Sequence, residues 1–320
     1  MSLDITDFSR SHIEEAVDLA RANYEEERRF VAVLPEVDIM PDLTLFADSG
    51  LGVAAFENGR MAGFLCCFRP WNNAFGTTGV KGTFSPCHAH GTTQENRSYI
   101  FNRLYQAAAE KWVNNGIVSH AIALYAHDAQ AINSFFINGF GLRCIDAIRP
   151  MEEIDCTPLP DFKFIELPKE KQIDILLLNN MLISHSSRSP IFMSFPQRDR
   201  QSLQNELDRQ NGRYFAAYKG KEMATYVKIM DNGESFISEE SSVKNICGAF
   251  CVPEYRGKGV YQNLLNFTIS TLKKEGYTRL GVDFESFNPT ACGFWLKYFT
   301  AYTNSVVRRI DERVLENNNL

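Results

Sequence analysis

Four consecutive residues, Arg256, Gly257, Lys258 and Gly259, carry the clearest chemical signal in the chain. Before them, Ala249, Phe250, Cys251 and Val252 predict the end of a buried strand. Pro253 stops that strand, because proline has no N–H to give a ladder. After them, Val260, Leu264, Leu265, Ile269 and Leu272 recur at helical spacing, and Gly276 closes the helix at its C-cap. A glycine-rich turn between strand and helix leaves bare backbone N–H groups at a helix N-terminus. The helix dipole favours negative charge there, and two cations stand beside it. The chemistry is anion binding, in a small phosphate cradle. Two common phosphate loops do not fit. GxxxxGK[ST] needs Ser or Thr after Lys258, where Gly259 stands. The dinucleotide fingerprint needs glycine at position 262, where Gln262 stands.

The remaining pattern resembles motif A of the GNAT superfamily of acyl-CoA-dependent N-acyltransferases. That motif is [QR]-x-x-G-x-[GA], usually preceded by V-x-P-x-[YF]. Here the chain reads Cys251-Val252-Pro253-Glu254-Tyr255, then Arg256-Gly257-Lys258-Gly259-Val260-Tyr261. Cys251 replaces a frequent Val. Tyr261 replaces the usual Gly or Ala, where it either crowds a diphosphate or turns into the helix packing.

The resemblance implies a set of site residues. N–H groups from Arg256 to Tyr261, through Gly257, Lys258, Gly259 and Val260, would hold the cofactor's diphosphate. The strand end at Phe250, Cys251 and Val252 would splay from its neighbour and pair with the pantetheine arm like an added strand. The Val252 N–H is the candidate oxyanion donor. Asn288-Pro289-Thr290-Ala291 resembles the family's N-x-x-A, whose Asn contacts pantetheine in many members. Asn288 ahead of a proline at N1 is equally a good helix N-cap. The usual general acid is a tyrosine seven residues after that Asn. Trp295 stands there, and an indole cannot protonate a departing thiolate. Tyr298, one turn on, is the candidate acid; beside Phe294 and Phe299 it also reads as core. Glu285 is the candidate base, with Glu239 and Glu240 upstream. Each of these carboxylates also reads as a solvated surface group, and an amine can attack a thioester on positioning alone.

These elements sit in a chain of 320 residues, which suggests two domains. With 44% hydrophobic and 22% charged residues the composition is that of a globular protein. The net charge of −6 argues against nucleic acid as a partner. No apolar run approaches the roughly 18 residues of a membrane span, and the N-terminus has no signal-peptide core. Four of the eight cysteines (Cys66, Cys67, Cys247, Cys251) lie in apolar strand-like stretches, which suits reduced thiols in the cytoplasm.

Two stretches repeat about 160 residues apart. Residues 50–67 and 212–229 both read strand, glycine-containing turn, strand, and FFINGF at 135–140 echoes FWLKYF at 294–299. The repeat implies a duplicated α/β unit. Helices are expected at 11–30, 97–114, 128–138, 168–184 and 197–210. Strands are expected at 52–57, 61–68, 119–126, 143–149 and 161–166. Residues 71–96 read as loops and 150–160 as a linker. The expected fold is α/β: two tandem GNAT-like domains, each a mixed twisted sheet with helices on both faces. Residues 1–150 would be a degenerate copy lacking the cofactor turn, since Pro86 matches Pro253 but no Arg-Gly-x-Gly follows. Residues 151–320 would carry the acyl-CoA site.

Cys87, His88 and His90 lack a fourth ligand at zinc spacing, so no metal is expected. The expected activity is transfer of an acetyl group from acetyl-CoA to a primary amine of a small molecule or peptide, in a protein that could also form a homodimer. A non-catalytic acyl-CoA sensor, or a scaffold that has lost CoA, is the alternative suggested by Trp295 and Tyr261.

Overall fold

A computed structural model describes residues 3–316. It divides into two α/β units, one holding the chain up to Ile145 together with Ala301 onward, the other Asp146–Thr300.

The first unit opens with β1 (Asp4–Asp7) and α1 (Ile13–Phe30), which buries Ala16, Ala20 and Tyr24 along one face. After the short α2 (Thr44–Ala47) comes the hairpin of β2 (Val53–Glu57) and β3 (Arg60–Leu65). Asn58 and Gly59 both have positive φ, as a tight hairpin turn requires. Residues 71–96, read as loops, in fact hold β4 (Trp71–Asn72), β5 (Lys81–Ser85) and β6 (His90–Thr92). Glycine misled the reading: a Cβ on Gly82 would meet the Ser119 carbonyl at 2.7 Å, so this glycine marks close backbone approach within a sheet. Then follow α3 (Arg97–Asn114), β7 (Ser119–Tyr125), α4 (Ala129–Ile137) and β8 (Gly141–Pro150). Strands β1-β2-β3-β6 form one sheet, and β5 runs parallel to β7. Trp112 is fully buried in this unit's core with Leu104, Phe135 and Val306, and its indole N–H donates to the Leu51 carbonyl at 3.0 Å.

In the second unit, the segment expected as one helix at 168–184 is a 3-10 turn (Lys169–Ile175) followed by α5 (Leu176–Ser186). Before it lies β9 (Phe162–Leu167). After it come α6 (Arg200–Arg209), β10 (Arg213–Lys219), β11 (Glu222–Met230), β12 (Val243–Cys251), α7 (Val260–Lys274), β13 (Arg279–Glu285) and α8 (Pro289–Tyr298). The strands lie in the order β9-β10-β11-β12-β13, antiparallel except for the parallel pair β12–β13. Leu178 of α5 and Leu203 of α6 pack with Tyr226 and Phe250, whereas Val260 of α7 packs with Ala217 and Ala224.

The duplication extends to detail. The β2–β3 hairpin shifts register after Ala55, and the β10–β11 hairpin shifts after Ala217, the matching place in the repeat. Both α4 and α8 start on a side-chain cap: Asp128 accepts from Ala131 N–H, and Asn288 from Ala291 N–H.

Two expectations about organisation are corrected. Residues 150–160 are a strap on α7 and not a free linker. Asn266 accepts from the Ile154 N–H at 2.7 Å, and Gln262 and Asn263 donate to the carbonyls of Asp155 and Thr157. The division also departs from a cut at 150/151, because β14 (Thr300–Arg309) runs almost wholly in the first unit. It pairs antiparallel with β7 from Thr303 opposite Tyr125 to Arg309 opposite Ser119. Alternation in a strand reports which face is buried, and carries no information on which neighbour it pairs with. No helix among the described residues is long and apolar enough to cross a membrane.

Candidate active site

The site begins where a ladder stops. Strand β12 pairs with β11 along its length, to Cys251 opposite Thr225. Its parallel pairing with β13 ends at Ile246 opposite Val282. From Cys247 to Cys251 the strand therefore presents its other backbone edge without a partner strand among the described residues. Burial changes at the same place: Val243 to Ile246 are buried, whereas Cys247, Gly248 and Ala249 are exposed or half-buried. Phe250 and Cys251 lie in this unpaired run, whereas Val252 follows the strand and its N–H donates to the Ala224 carbonyl at 3.0 Å.

A 3-10 turn at Pro253–Tyr255 leads into the glycine turn. Gly257 and Gly259 have φ of +72° and +75°, the left-handed region that favours glycine. Gly259 is the N-cap of α7, and no side chain caps that end. The first-turn N–H groups thus lack the side-chain acceptor that most helix starts supply. Arg256 folds back on the strand end: its Nε donates to the Cys251 carbonyl at 2.9 Å, and its guanidinium lies 5.2 Å from the Phe250 ring centre.

Opposite stands the start of α8. Asn288 accepts from the Ala291 N–H at 3.3 Å and from the Thr290 hydroxyl at 2.7 Å, so its capping reading holds. It also lines the cavity, so both readings of this residue have a geometric basis. The Thr290 hydroxyl in turn lies 3.3 Å from His185 Nε2, at the end of α5.

Between these walls lies a cavity of about 580 Å³. Phe250, Cys251, Arg256, Gly257, Gly259, Val260, Tyr261, Asn288 and Tyr298, singled out from sequence, all line it. Lys258 is exposed outside the lining, and Val252 lies behind it, packed under α7. Tyr298 packs against Phe294 at 5.0 Å with Lys297 over its ring. Trp295 is 6% exposed and packs edge-on against Phe299, as a core residue does. Tyr261 turns into the helix packing, edge-on to Phe294 at 4.9 Å and to Trp295 at 5.6 Å. Burial pushes the Cys251 thiol up to about 11, so it is no thiolate nucleophile near neutral pH.

Glu285 is not brought into the cavity lining. It sits at the C-terminal end of β13, where its carbonyl accepts from the Asn288 N–H at 3.0 Å. Glu239 is the exposed residue of an otherwise buried 3-10 turn before β12. The carboxylate that sequence reading missed is Asp283, two residues before Glu285 and just past the end of the β12–β13 ladder. Burial, reinforced by Glu234, Asp146 and Glu285, raises its pKa well above the ordinary carboxylate value. A charged residue in the middle of an apolar strand was the available signal. An unfolded Asp ionises near pH 3.9. Between that value and the higher folded one, folding takes up a proton, so stability falls as pH rises. Asp283→Asn is therefore expected to match the parent below about pH 4. Above it the variant gains stability by up to about 1.4 kcal/mol per pH unit until the folded group ionises. Denaturant melts from pH 4 to 9 measure that slope.

The equivalent region of the first unit is built differently. Helix α3 starts at Arg97, buried to 4% exposure, whose guanidinium donates to Glu26 at 2.8 Å and to Asp128 at 2.9 Å. His127 pairs with the fully buried Glu27 and stacks on Phe30 at 4.3 Å. Cys87 and His90 have protein partners, the Ala123 carbonyl and the Ser85 hydroxyl, and burial lowers the pKa of His90 to about 3.

Residues 180–299, which include the whole cavity lining, match the model of the Acetyltransferase (GNAT) family. Over this stretch the chain is similar to a family of acetyltransferases. Solved structures extend the likeness in fold to both units. A GCN5-related N-acetyltransferase from Sphaerobacter thermophilus aligns with a TM-score of 0.59 at 8% identity, covering 96% of this chain and 95% of its own. A tandem GNAT protein from the clavulanic acid biosynthesis pathway aligns at 0.51 and 12% identity, covering 97% and 99%. The glucosamine N-acetyltransferase region of a fungal multi-domain β-N-acetylglucosaminidase aligns at 0.51 and 13% identity, covering 96% of this chain and 38% of that one. The fold is a tandem GNAT fold. No curated protein matches the sequence.

Proposed function

We propose that the second unit transfers an acetyl group from acetyl-CoA to a primary amine of a small molecule or peptide. The observation that carries this reading is the continuity of one wall. The free edge of β12 runs directly into an uncapped helix start, and both line the same cavity. An extended arm bearing amides pairs with such an edge as an added strand would. A diphosphate is received by the N–H groups of α7 and the positive end of its dipole. A donor N–H near the strand end, at Val252 in this reading, would meet the negative charge that develops on the thioester oxygen. The Val252 N–H itself donates to the Ala224 carbonyl at 3.0 Å, so that role needs the bond to open or be shared.

Of the three tyrosines on the cavity wall, Tyr255, Tyr261 and Tyr298, the last is in this reading the acid that protonates the leaving thiolate. With Glu285 outside the lining, the amine reaches the thioester already neutral or loses its proton through water. In this reading the first unit holds no cofactor, because Arg97 and its two carboxylates fill the place of the cradle. All eight cysteines are free, which supports a cytoplasmic setting.

Calorimetry with acetyl-CoA, followed by free-thiol release across a panel of small amines, tests the reading. Micromolar binding with amine-dependent thiol release is the expected result. Binding without release from any amine would favour an acyl-CoA sensor. No binding by folded protein would overturn the proposal.

A further inference from the structure

A tyrosine in the wall of an open cleft normally turns its hydroxyl to water. Tyr261 does not. Its hydroxyl is buried and has no hydrogen-bond partner among the described residues. Its ring is edge-on to Phe294 and Trp295 of α8, and burial, with a smaller contribution from nearby Cys251, at the end of the free edge, and Tyr226 of β11, raises its pKa well above the ordinary phenol value. Phe294, Trp295 and Cys251 all line the cavity, so the ring spans the slot between the unpaired end of β12 and α8. A buried phenol hydroxyl without a partner costs stability unless something supplies the missing bond.

The slot offers a supplier. A chain laid on the free edge from Ala249 to Cys251 would lie in the cavity that Tyr261 also lines and would present amide N–H and C=O groups at strand spacing. We propose that the Tyr261 side chain is a binding group for the amide-bearing arm of the ligand, its hydroxyl pairing with an amide of that arm. The inference rests on the acyl-CoA reading, in which that arm is pantetheine. It gives the departure from Gly or Ala at this position a function: the side chain that a glycine would lack becomes part of the arm's binding surface.

The test compares two probes on the wild type, Tyr261→Phe and Tyr261→Ala by calorimetry. Acetyl-CoA carries the arm; 3′-phosphoadenosine 5′-diphosphate keeps the nucleotide with all three phosphates and lacks it. The proposal expects Tyr261→Phe to fold with an unchanged or raised melting temperature. It expects about a tenfold loss of acetyl-CoA affinity, from leaving one buried amide unpaired. Affinity for the armless nucleotide should not move. Unchanged acetyl-CoA affinity in Tyr261→Phe overturns the proposal, and so does an equal loss for both probes, which would mean a structural effect. Tighter acetyl-CoA binding by Tyr261→Ala overturns it too, since the ring would then be an obstruction. Failure of the wild type to bind acetyl-CoA at all removes the acyl-CoA reading itself, an outcome distinct from the other three.

Discussion

Gly257→Glu/Gly259→Glu is expected to lower acetyl-CoA affinity at least a hundredfold, measured by calorimetry. Two independent effects act at this turn. The first is charge. The uncapped N–H groups of α7 and the positive end of its dipole favour an anion, and two carboxylates would occupy that field and repel a diphosphate. Two unit charges about 4 Å apart repel by about 4 kcal/mol at an effective dielectric of 20. A hundredfold loss needs only about 2.7 kcal/mol, so screening can remove most of the repulsion without changing the outcome. The second effect is conformation. Both glycines sit at left-handed φ, where another residue costs roughly 1–2 kcal/mol. Space is not the obstacle, since a Cβ on Gly257 would meet nothing within 4 Å. Lys258→Glu separates the two effects: it reverses a charge on the same exposed turn at a position without positive φ. About a tenfold loss there, with an unchanged melting temperature, would assign about half of a hundredfold effect to charge. Full affinity in a folded Gly257→Glu/Gly259→Glu protein would remove the cofactor from this turn.

The second large effect is expected in the first unit and concerns stability. Arg97→Ala should destabilise that unit by about 3–5 kcal/mol, because it leaves Glu26 and Asp128 facing each other in a buried site without their shared cation. For a unit of this size the melting temperature should fall by roughly 10 °C. Acetyl-CoA affinity should be retained wherever the second unit stays folded, since none of these residues lines its cavity. A change below about 1 kcal/mol would show that the arginine is solvated in solution and does not fill the first copy's groove.

The two predictions differ in how far sequence alone reaches them. The Gly257–Gly259 cradle was legible because strand end, turn and helix are local, and glycine at two required positions leaves a mark in the sequence. The hairpins and α3 were legible for the same reason. Arg97 was not, because nothing in the spacing of Glu26, Arg97 and Asp128 says that they meet. The point where the β12–β13 ladder stops is a tertiary fact too, and only the family resemblance anticipated it. Glu285 was singled out because it follows the strand that would line the acceptor side, and Asp283 was not weighed. Burial and neighbouring charge, which raise the pKa of Asp283, depend on what packs above the strand. Tyr261 was recognised as a departure, but its direction is a rotamer choice that composition does not encode.

The place of β14 has a consequence for how this protein can be made and taken apart. Synthesis from the N-terminus completes every other strand of the first unit long before Thr300–Arg309 emerges, so β7 must wait, one edge open, while the entire second unit is translated. A waiting edge of buried-type sequence invites the wrong partner. No single cut in the chain yields both copies whole: cleavage near residue 150 strips the first of its last strand and leaves that strand as an unattached tail on the second. The two halves have ceased to be separable modules, and the first depends for its last strand on chain that is made only after the second.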